Sequence, residues 1–128
     1  MARILVVDDE PLVCSMLSAF LTREGHDVTA VGNGKLAIEV IDDGPIDLVI
    51  ADIVMPEKDG LEMMTQLRKE RPTLKIIAIS GGSRVGNFDF LSMARHLGAS
   101  ETFYKPLNND DLLAAVKKCL NTTADFGL

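Results

Sequence analysis

The sequence predicts a doubly wound α/β domain, and three observations predict it: five short β-branched runs, amphipathic stretches between and after them, and Pro or Gly punctuation at the joins. The apolar runs cover residues 4–7, 28–31, 48–51, 76–79 and, more weakly, 102–104. After Pro11, the residues Val13, Met16, Leu17, Phe20 and Leu21 recur at the spacing of one helix face. Pro11 suits the first turn of that helix and Gly25 its end. A second helical stretch over residues 35–41 stops at Gly44-Pro45. A third carries Leu61, Met64, Leu67 and Arg68 and ends at Pro72. The fourth covers residues 90–97 with Gly98 behind it, and the fifth shows Leu112, Leu113, Val116 and Leu120. Strands that alternate with helices of this length require crossover connections, hence a parallel sheet covered on both faces. The first, third and fourth runs are almost wholly apolar, as strands buried on both sides should be.

At 128 residues the chain has the size of one domain, enough to bury roughly two-thirds of the surface it exposes when unfolded. The domain is expected over residues 1–120, with 121–128 as a loose C-terminal tail. Hydrophobic residues make up 47% and charged residues 25%, the balance of a globular domain. A net charge of −6 provides no field for phosphate backbones or anionic lipid, so no direct nucleic-acid partner and no membrane contact are expected. No apolar run approaches a membrane span, and the cytoplasm is the expected compartment. Cys14 and Cys119 are the only cysteines and lie far apart. Both are read as reduced thiols that form neither a zinc site nor a redox motif.

In open parallel sheets ligands bind beyond the carboxyl ends of the strands, near the switch point of strand order. Asp8 and Asp9 follow the first strand and Asp52 follows the third, so the fold gathers three carboxylates. Like charges that close repel strongly unless a cation is present, and an open set of hard oxygens suits magnesium. Asp is also favoured in caps and turns, and for Asp9 before Pro11 capping alone would account for the residue. The fourth strand ends in Ser80-Gly81-Gly82, a hydroxyl and a permissive backbone at the same edge. The fifth ends in Lys105-Pro106, an ammonium followed by a bond in which a cis peptide is affordable. Taken singly, Ser80 reads as a helix cap and Lys105 as a solvated lysine; their shared edge points to phosphoryl chemistry.

Together, Asp8-Asp9, Asp52 with Met55-Pro56 and Asp59-Gly60 behind it, Ser80, and Lys105-Pro106 resemble the signature of response-regulator receiver domains, over about residues 3 to 120. The resemblance implies a flavodoxin-like (βα)5 fold with strand order 2-1-3-4-5. It implies Asp52 as phosphoacceptor, and Mg2+ held by Asp8, Asp9, Asp52 and the backbone carbonyl of Val54. Ser80 and Lys105 would contact the phosphoryl group. The implied donor is a sensor histidine kinase or a histidine phosphotransfer protein. The implied output is a protein partner at the face made by the fourth helix, fifth strand and fifth helix. Asp52 would attack the donor phosphorus in line, and the acyl phosphate would later hydrolyse, so the domain catalyses its own modification.

Two departures bear on the switch. The family often has an aromatic residue three positions before the lysine, whereas Thr102 stands here with Phe103 and Tyr104 behind it. Alternation along a strand puts Thr102 and Tyr104 on one face and Phe103 with Lys105 on the other. The stretch after Ser80 also contains Gly81, Gly82, Gly86 and Asn87, which predicts a mobile loop beside the site. The expected signal therefore runs through Ser80, Gly81 and Gly82, with Tyr104 as the competing substitute for the absent ring at Thr102.

Other readings explain less. Gly32-Asn33-Gly34-Lys35-Leu36-Ala37 fits a dinucleotide-binding pattern, with Asp52 about 20 residues on. It follows the second strand rather than the first and leaves Asp8, Asp9, Ser80 and Lys105 without a role. A haloacid-dehalogenase type of phosphatase would need a general acid where Val54 stands. A receiver-like interaction module that is never phosphorylated would not require the full set of acids, hydroxyl and lysine. His26 in a turn and His96 near a helix end do not form a pair. Met63 and Met64 read as helix packing rather than a ligand groove.

Overall fold

The computed structural model of the chain describes residues 2–53, 60–81 and 90–125. In order these form β1 (Arg3–Val7), α1 (Pro11–Arg23), β2 (Asp27–Val31), α2 (Gly34–Asp43), β3 (Leu48–Asp52), α3 (Gly60–Glu70), β4 (Lys75–Ser80), α4 (Phe90–His96), β5 (Glu101–Tyr104) and α5 (Asn109–Asp125). All four strand pairings are parallel, and the sheet order is β2-β1-β3-β4-β5, the flavodoxin-like order that the resemblance implied.

Alternation along the strands builds two cores. Leu5 and Val7, Val49 and Ala51, and Ile76 and Ala78 face α2, α3 and α4. Ile4 and Val6, Leu48 and Ile50, and Ile77 and Ile79 face α1 and α5. Each central strand thus feeds both layers, which is why its sequence is a continuous apolar run. β2 and β5 lie at the edges and are only half-buried. Met63 and Met64 are both fully buried in the α2–α3–α4 layer, so both methionines are core.

Helix ends follow the sequence punctuation closely. Pro11 opens α1, Asn33 caps α2 by accepting the Leu36 N–H at 2.9 Å, and Gly25 and Gly98 take φ of 94° behind α1 and α4. That left-handed conformation favours glycine. The one clear difference lies at the C-terminus. The backbone of α5 continues to Asp125, through most of the stretch expected to be a loose tail. Asn121, Thr122 and Thr123 are weak helix formers, but neither Gly nor Pro interrupts the chain before Gly127, so the helix is free to propagate.

Candidate functional site

Among the described residues, the buried polar side chains are Asp8, Asp52 and Ser80. All three stand at the carboxyl edge of the sheet. β1 and β3 are neighbours in register up to Val7 opposite Ala51, so the next residues, Asp8 and Asp52, come together there. This is the switch point, since β2 lies on one side of β1 and β3 on the other. Gly60, the first residue of α3, closes on the same spot. A Cβ there would run into Ile53 Cα and lie 2.6 Å from the Asp52 carbonyl oxygen, so only glycine lets the helix start so near the end of β3.

β5 delivers the cation. The Lys105 N–H donates to the Ser80 carbonyl at 2.8 Å, extending the β4–β5 pairing and fixing the lysine beside Ser80. The Lys105–Pro106 bond is cis. The Lys105 ammonium then lies 2.9 Å from Asp52 Oδ2, 2.9 Å from Asp8 Oδ2 and 2.7 Å from Glu10 Oε1. Burial alone would lower the Lys105 pKa, but the three carboxylates outweigh it and raise it above its ordinary value.

The Asp8 carboxylate is held in place by its own turn, because Oδ1 accepts the Glu10 N–H at 2.9 Å. Its other oxygen, Oδ2, is buried and faces the Lys105 ammonium at 2.9 Å as its one partner among the described residues. One oxygen from each of Asp8, Glu10 and Asp52 falls within 4.8 Å of the others, an arrangement able to hold a metal ion. A buried carboxylate oxygen with an unused lone pair, in an all-oxygen donor set, fits a hard divalent cation such as magnesium.

The structure therefore brings together Asp8, Asp52, Ser80 and Lys105. Asp9 is exposed and stands outside the acidic group, where Glu10 stands inside it. Glu10 went unnoticed in the sequence, although a signal existed. Glutamate is not a favoured N-cap residue, and at the N-cap of α1 its side chain makes no capping bond. Val54 and Gly82 lie outside the described residues, as do Met55, Pro56, Asp59, Gly86 and Asn87. Gly81 is exposed at the end of β4. Phe103 packs into the α1–α5 layer, while Thr102 faces α4 and accepts a hydrogen bond from Arg95 Nη1 at 2.8 Å. Tyr104 lies beyond it, largely exposed.

Remaining sequence features have simpler roles. Asn33 caps α2 and Gly34 is its buried first residue, so the glycine pair serves a turn. His26 Nδ1 accepts the Ala2 N–H at 3.3 Å. Cys14 and Cys119 are free thiols; burial raises the pKa of each, and the Cys14 thiol donates to the Asp8 carbonyl at 3.2 Å. Among the described residues, no helix is long and apolar enough to cross a membrane.

Residues 4–117 match the response regulator receiver domain family. Among curated relatives, the chain is 35% identical over 121 residues to the DNA-binding transcriptional regulator NtrC of Azospirillum brasilense, covering 94% of this chain and 24% of that protein. It is also 35% identical to the TorCAD operon transcriptional regulatory protein TorR of Escherichia coli O157:H7, covering 91% of this chain and 49% of that one. The chain thus spans half or less of the length of these relatives. Among solved structures, the CheY-like receiver domain protein from Methanospirillum hungatei JF-1 superposes with a TM-score of 0.88 at 27% identity, over 98% of both chains. The response regulator TrrA from Thermotoga maritima, solved in complex with Mg(2+)-BeF, superposes with a TM-score of 0.81 at 40% identity, over 94% of this chain and all of that one.

Proposed function

We propose, from the premise that this chain belongs to the response regulator receiver domain family, that it is a phosphoacceptor unit of two-component signalling in which Asp52 receives the phosphoryl group. The observation that carries this reading is the contact of Lys105 Nζ with Asp52 Oδ2 at 2.9 Å, beside the buried Asp8 carboxylate. A carboxylate held against a fixed ammonium at a sheet switch point is a nucleophile with its charge compensation already in place. The donor is a phosphohistidine on a sensor kinase or on a phosphotransfer protein. An Asp52 oxygen forms a bond to phosphorus, and the phosphorus–nitrogen bond breaks with its electron pair returning to the imidazole.

Asp8 and Asp52 would hold magnesium, with Glu10 at the rim and with Asp9 and the Val54 carbonyl as further candidates from the family pattern. When bound, magnesium neutralises charge on the transferring phosphoryl group. The response regulator TrrA, 40% identical, was solved in complex with Mg(2+)-BeF, which supports a magnesium site here. Lys105 then binds phosphoryl oxygen, and the Ser80 hydroxyl, buried at the same edge, donates to another. Ser80 and Gly81, with Gly82 behind them, carry the shift that follows, whereas Thr102 is already engaged with Arg95 of α4. Output passes to a protein partner at the face of α4, β5 and α5, with the receiver unit over residues 1–120. The net charge of −6 argues against direct nucleic-acid contact by this unit. The cytoplasm is the proposed compartment.

The test is incubation with a small acyl phosphate donor and magnesium, followed by intact-mass analysis. Wild type should gain about 80 Da, the mass of one phosphoryl group in the acyl phosphate of this mechanism. Asp52→Asn should gain nothing. Equal gain in both proteins would rule out Asp52 as the acceptor.

A further inference from the structure

Three hydrogen bonds fix Asp8 and leave its second carboxylate oxygen to the site. Its N–H donates to the Val31 carbonyl of β2 at 3.1 Å, and its Oδ1 accepts the Glu10 N–H at 2.9 Å. Its own carbonyl accepts from the Cys14 thiol at 3.2 Å, and no other hydrogen bond reaches that carbonyl among the described residues. The same sulfur lies 3.9 Å from the Val31 carbonyl, so it sits under the join of β1 and β2. With these contacts made, Oδ2 faces the Lys105 ammonium at 2.9 Å, in the group that Asp52 shares.

The Cys14 contact is not an ordinary helix contact. A hydroxyl or thiol inside a helix usually bonds back to the carbonyl four residues earlier. For Cys14 that residue is Glu10, whose carbonyl accepts the Cys14 N–H at 3.1 Å. The sulfur instead reaches six residues back, past the Pro11 start of α1, to the residue that follows β1. Pro11 has no N–H to give, so a side chain supplies the donor that a turn at Asp8 would otherwise draw from the backbone. An ordinary thiol is protonated at neutral pH, and burial raises the Cys14 pKa further, so the donor is in place.

We propose that Cys14 is a positioning residue for Asp8: its thiol pins the Asp8 carbonyl from the first turn of α1 and so holds the Asp8 carboxylate toward Asp52 and Lys105, where a divalent cation binds. The inference rests on the reading that magnesium binds at Asp8 and Asp52. Freed of the thiol, the Asp8 peptide can turn about its neighbours, and the carboxylate turns with it. Serine keeps a donor at this position with a shorter reach, whereas alanine keeps none.

Calorimetric magnesium titration of the whole chain tests this in wild type, Cys14→Ala, Cys14→Ser, Asp8→Asn and the Cys14→Ala, Asp8→Asn double variant. Cys14→Ala should weaken magnesium binding about fivefold, the worth of one hydrogen bond. Cys14→Ser should recover most of that loss. In the Asp8→Asn background the Cys14→Ala change should cost less than about twofold, because the carboxylate it positions is gone. Cys119→Ala removes a buried thiol from the same α1–α5 layer and should lower stability while leaving magnesium affinity unchanged. In metal-free buffer the Asp9 amide nitrogen, bonded to the Asp8 carbonyl carbon, should shift in Cys14→Ala and return toward wild type in Cys14→Ser. Wild-type affinity in Cys14→Ala would overturn the proposal. Equal weakening in both Asp8 backgrounds, or equal weakening by Cys119→Ala, would overturn it too and make the effect one of general packing. Absence of magnesium binding in wild type is a distinct result, since it removes the metal reading and this proposal with it.

Discussion

Lys105 and Arg68 are both partly sheltered cations against the same sheet, one at its carboxyl edge and the other at its amino edge, yet their partners differ in kind. Lys105 faces three carboxylates. Arg68 donates five hydrogen bonds, and every acceptor is a backbone carbonyl: Leu97, Arg71, Pro72, Leu74 and Gly98. The guanidinium thereby ties the end of α3, the entry to β4 and the end of α4 into one joint, at the carbonyl ends of two helix dipoles. The protonation shifts follow the partners. Burial lowers the Arg68 pKa, whereas the surrounding acids raise that of Lys105. The lesson concerns what each site still lacks. The Arg68 site spends its donors on neutral backbone carbonyls and gathers no carboxylates, so it is structural. The Lys105 site sets one ammonium against three carboxylates whose oxygens gather within 4.8 Å, so it carries excess negative charge and can take a cation.

The sharpest break in this comparison is to delete each cation in turn and ask whether magnesium repairs the damage. Arg68→Met strands several carbonyls and should cost about 3 kcal/mol, given hydrogen bonds to a charged donor. Lys105→Met leaves the buried Asp8 and Asp52 uncompensated and should cost about 3 kcal/mol in metal-free buffer, the usual penalty for halving a buried pair. Urea unfolding with and without magnesium separates them. Added magnesium should restore most of the Lys105→Met loss by mass action and replace the missing charge. It should leave the Arg68→Met deficit where it was. If both variants respond alike, the two sites do not differ as described.

A smaller effect probes the Arg68 joint alone. Gly98 has φ of 94°, and a Cβ there would approach Arg68 Nε to 2.9 Å. Gly98→Ala should therefore cost about 2 kcal/mol, from the left-handed backbone and from displacement of the guanidinium. The Arg68→Met background should recover part of that cost, because the clash is gone while the backbone strain stays. Full additivity in a urea-unfolding cycle would show that strain alone matters.

At the other site, the next effect is a difference between adjacent aspartates. Asp8 is buried and in the acidic group, whereas Asp9 is exposed and outside it. Asp8→Asn should weaken magnesium binding about tenfold or more, and Asp9→Asn by less. Both should keep or gain thermal stability in metal-free buffer, since each removes like charge. Equal affinity of both variants with wild type would place the metal elsewhere.

These two sites also mark how far the sequence could be read. The five strands, their parallel sheet and the gathering of Asp8, Asp52, Ser80 and Lys105 at one edge were legible. Each rests on a local pattern, apolar runs with Pro and Gly at the joins, and on the rule that binds ligands at strand ends. Glu10 was not legible because a third acid before Pro11 looks like first-turn decoration, and its partner lies 95 residues away. Arg68 appeared only as part of a helix stripe. Its acceptors are backbone carbonyls, which no residue type announces, and its role exists only once α4 and the β4 entry are folded around it. The end of α5 was misplaced for a similar reason, since weak formers without a breaker leave a helix end undetermined from sequence.

The smallest expected effect is a dependence on pH, and its sign follows from the Lys105 contacts. The ordinary lysine pKa is 10.5 and the folded-state value is raised. Below the ordinary value both the folded and unfolded chains carry the proton, so the stabilisation from Lys105 is fully present. As pH climbs past it, the unfolded chain gives up its proton while the folded chain keeps it, unfolding releases a proton, and stability falls until the folded group titrates as well. Wild type should therefore lose stability more steeply than Lys105→Met between about pH 10 and 11, by under about 1 kcal/mol over that interval. Arg68 should show no such loss, because burial lowers its pKa where the acids raise that of Lys105. Urea-unfolding midpoints followed across that range in wild type, Lys105→Met and Arg68→Met would measure the difference. Parallel slopes in wild type and Lys105→Met would mean that the three carboxylates do not hold the lysine proton.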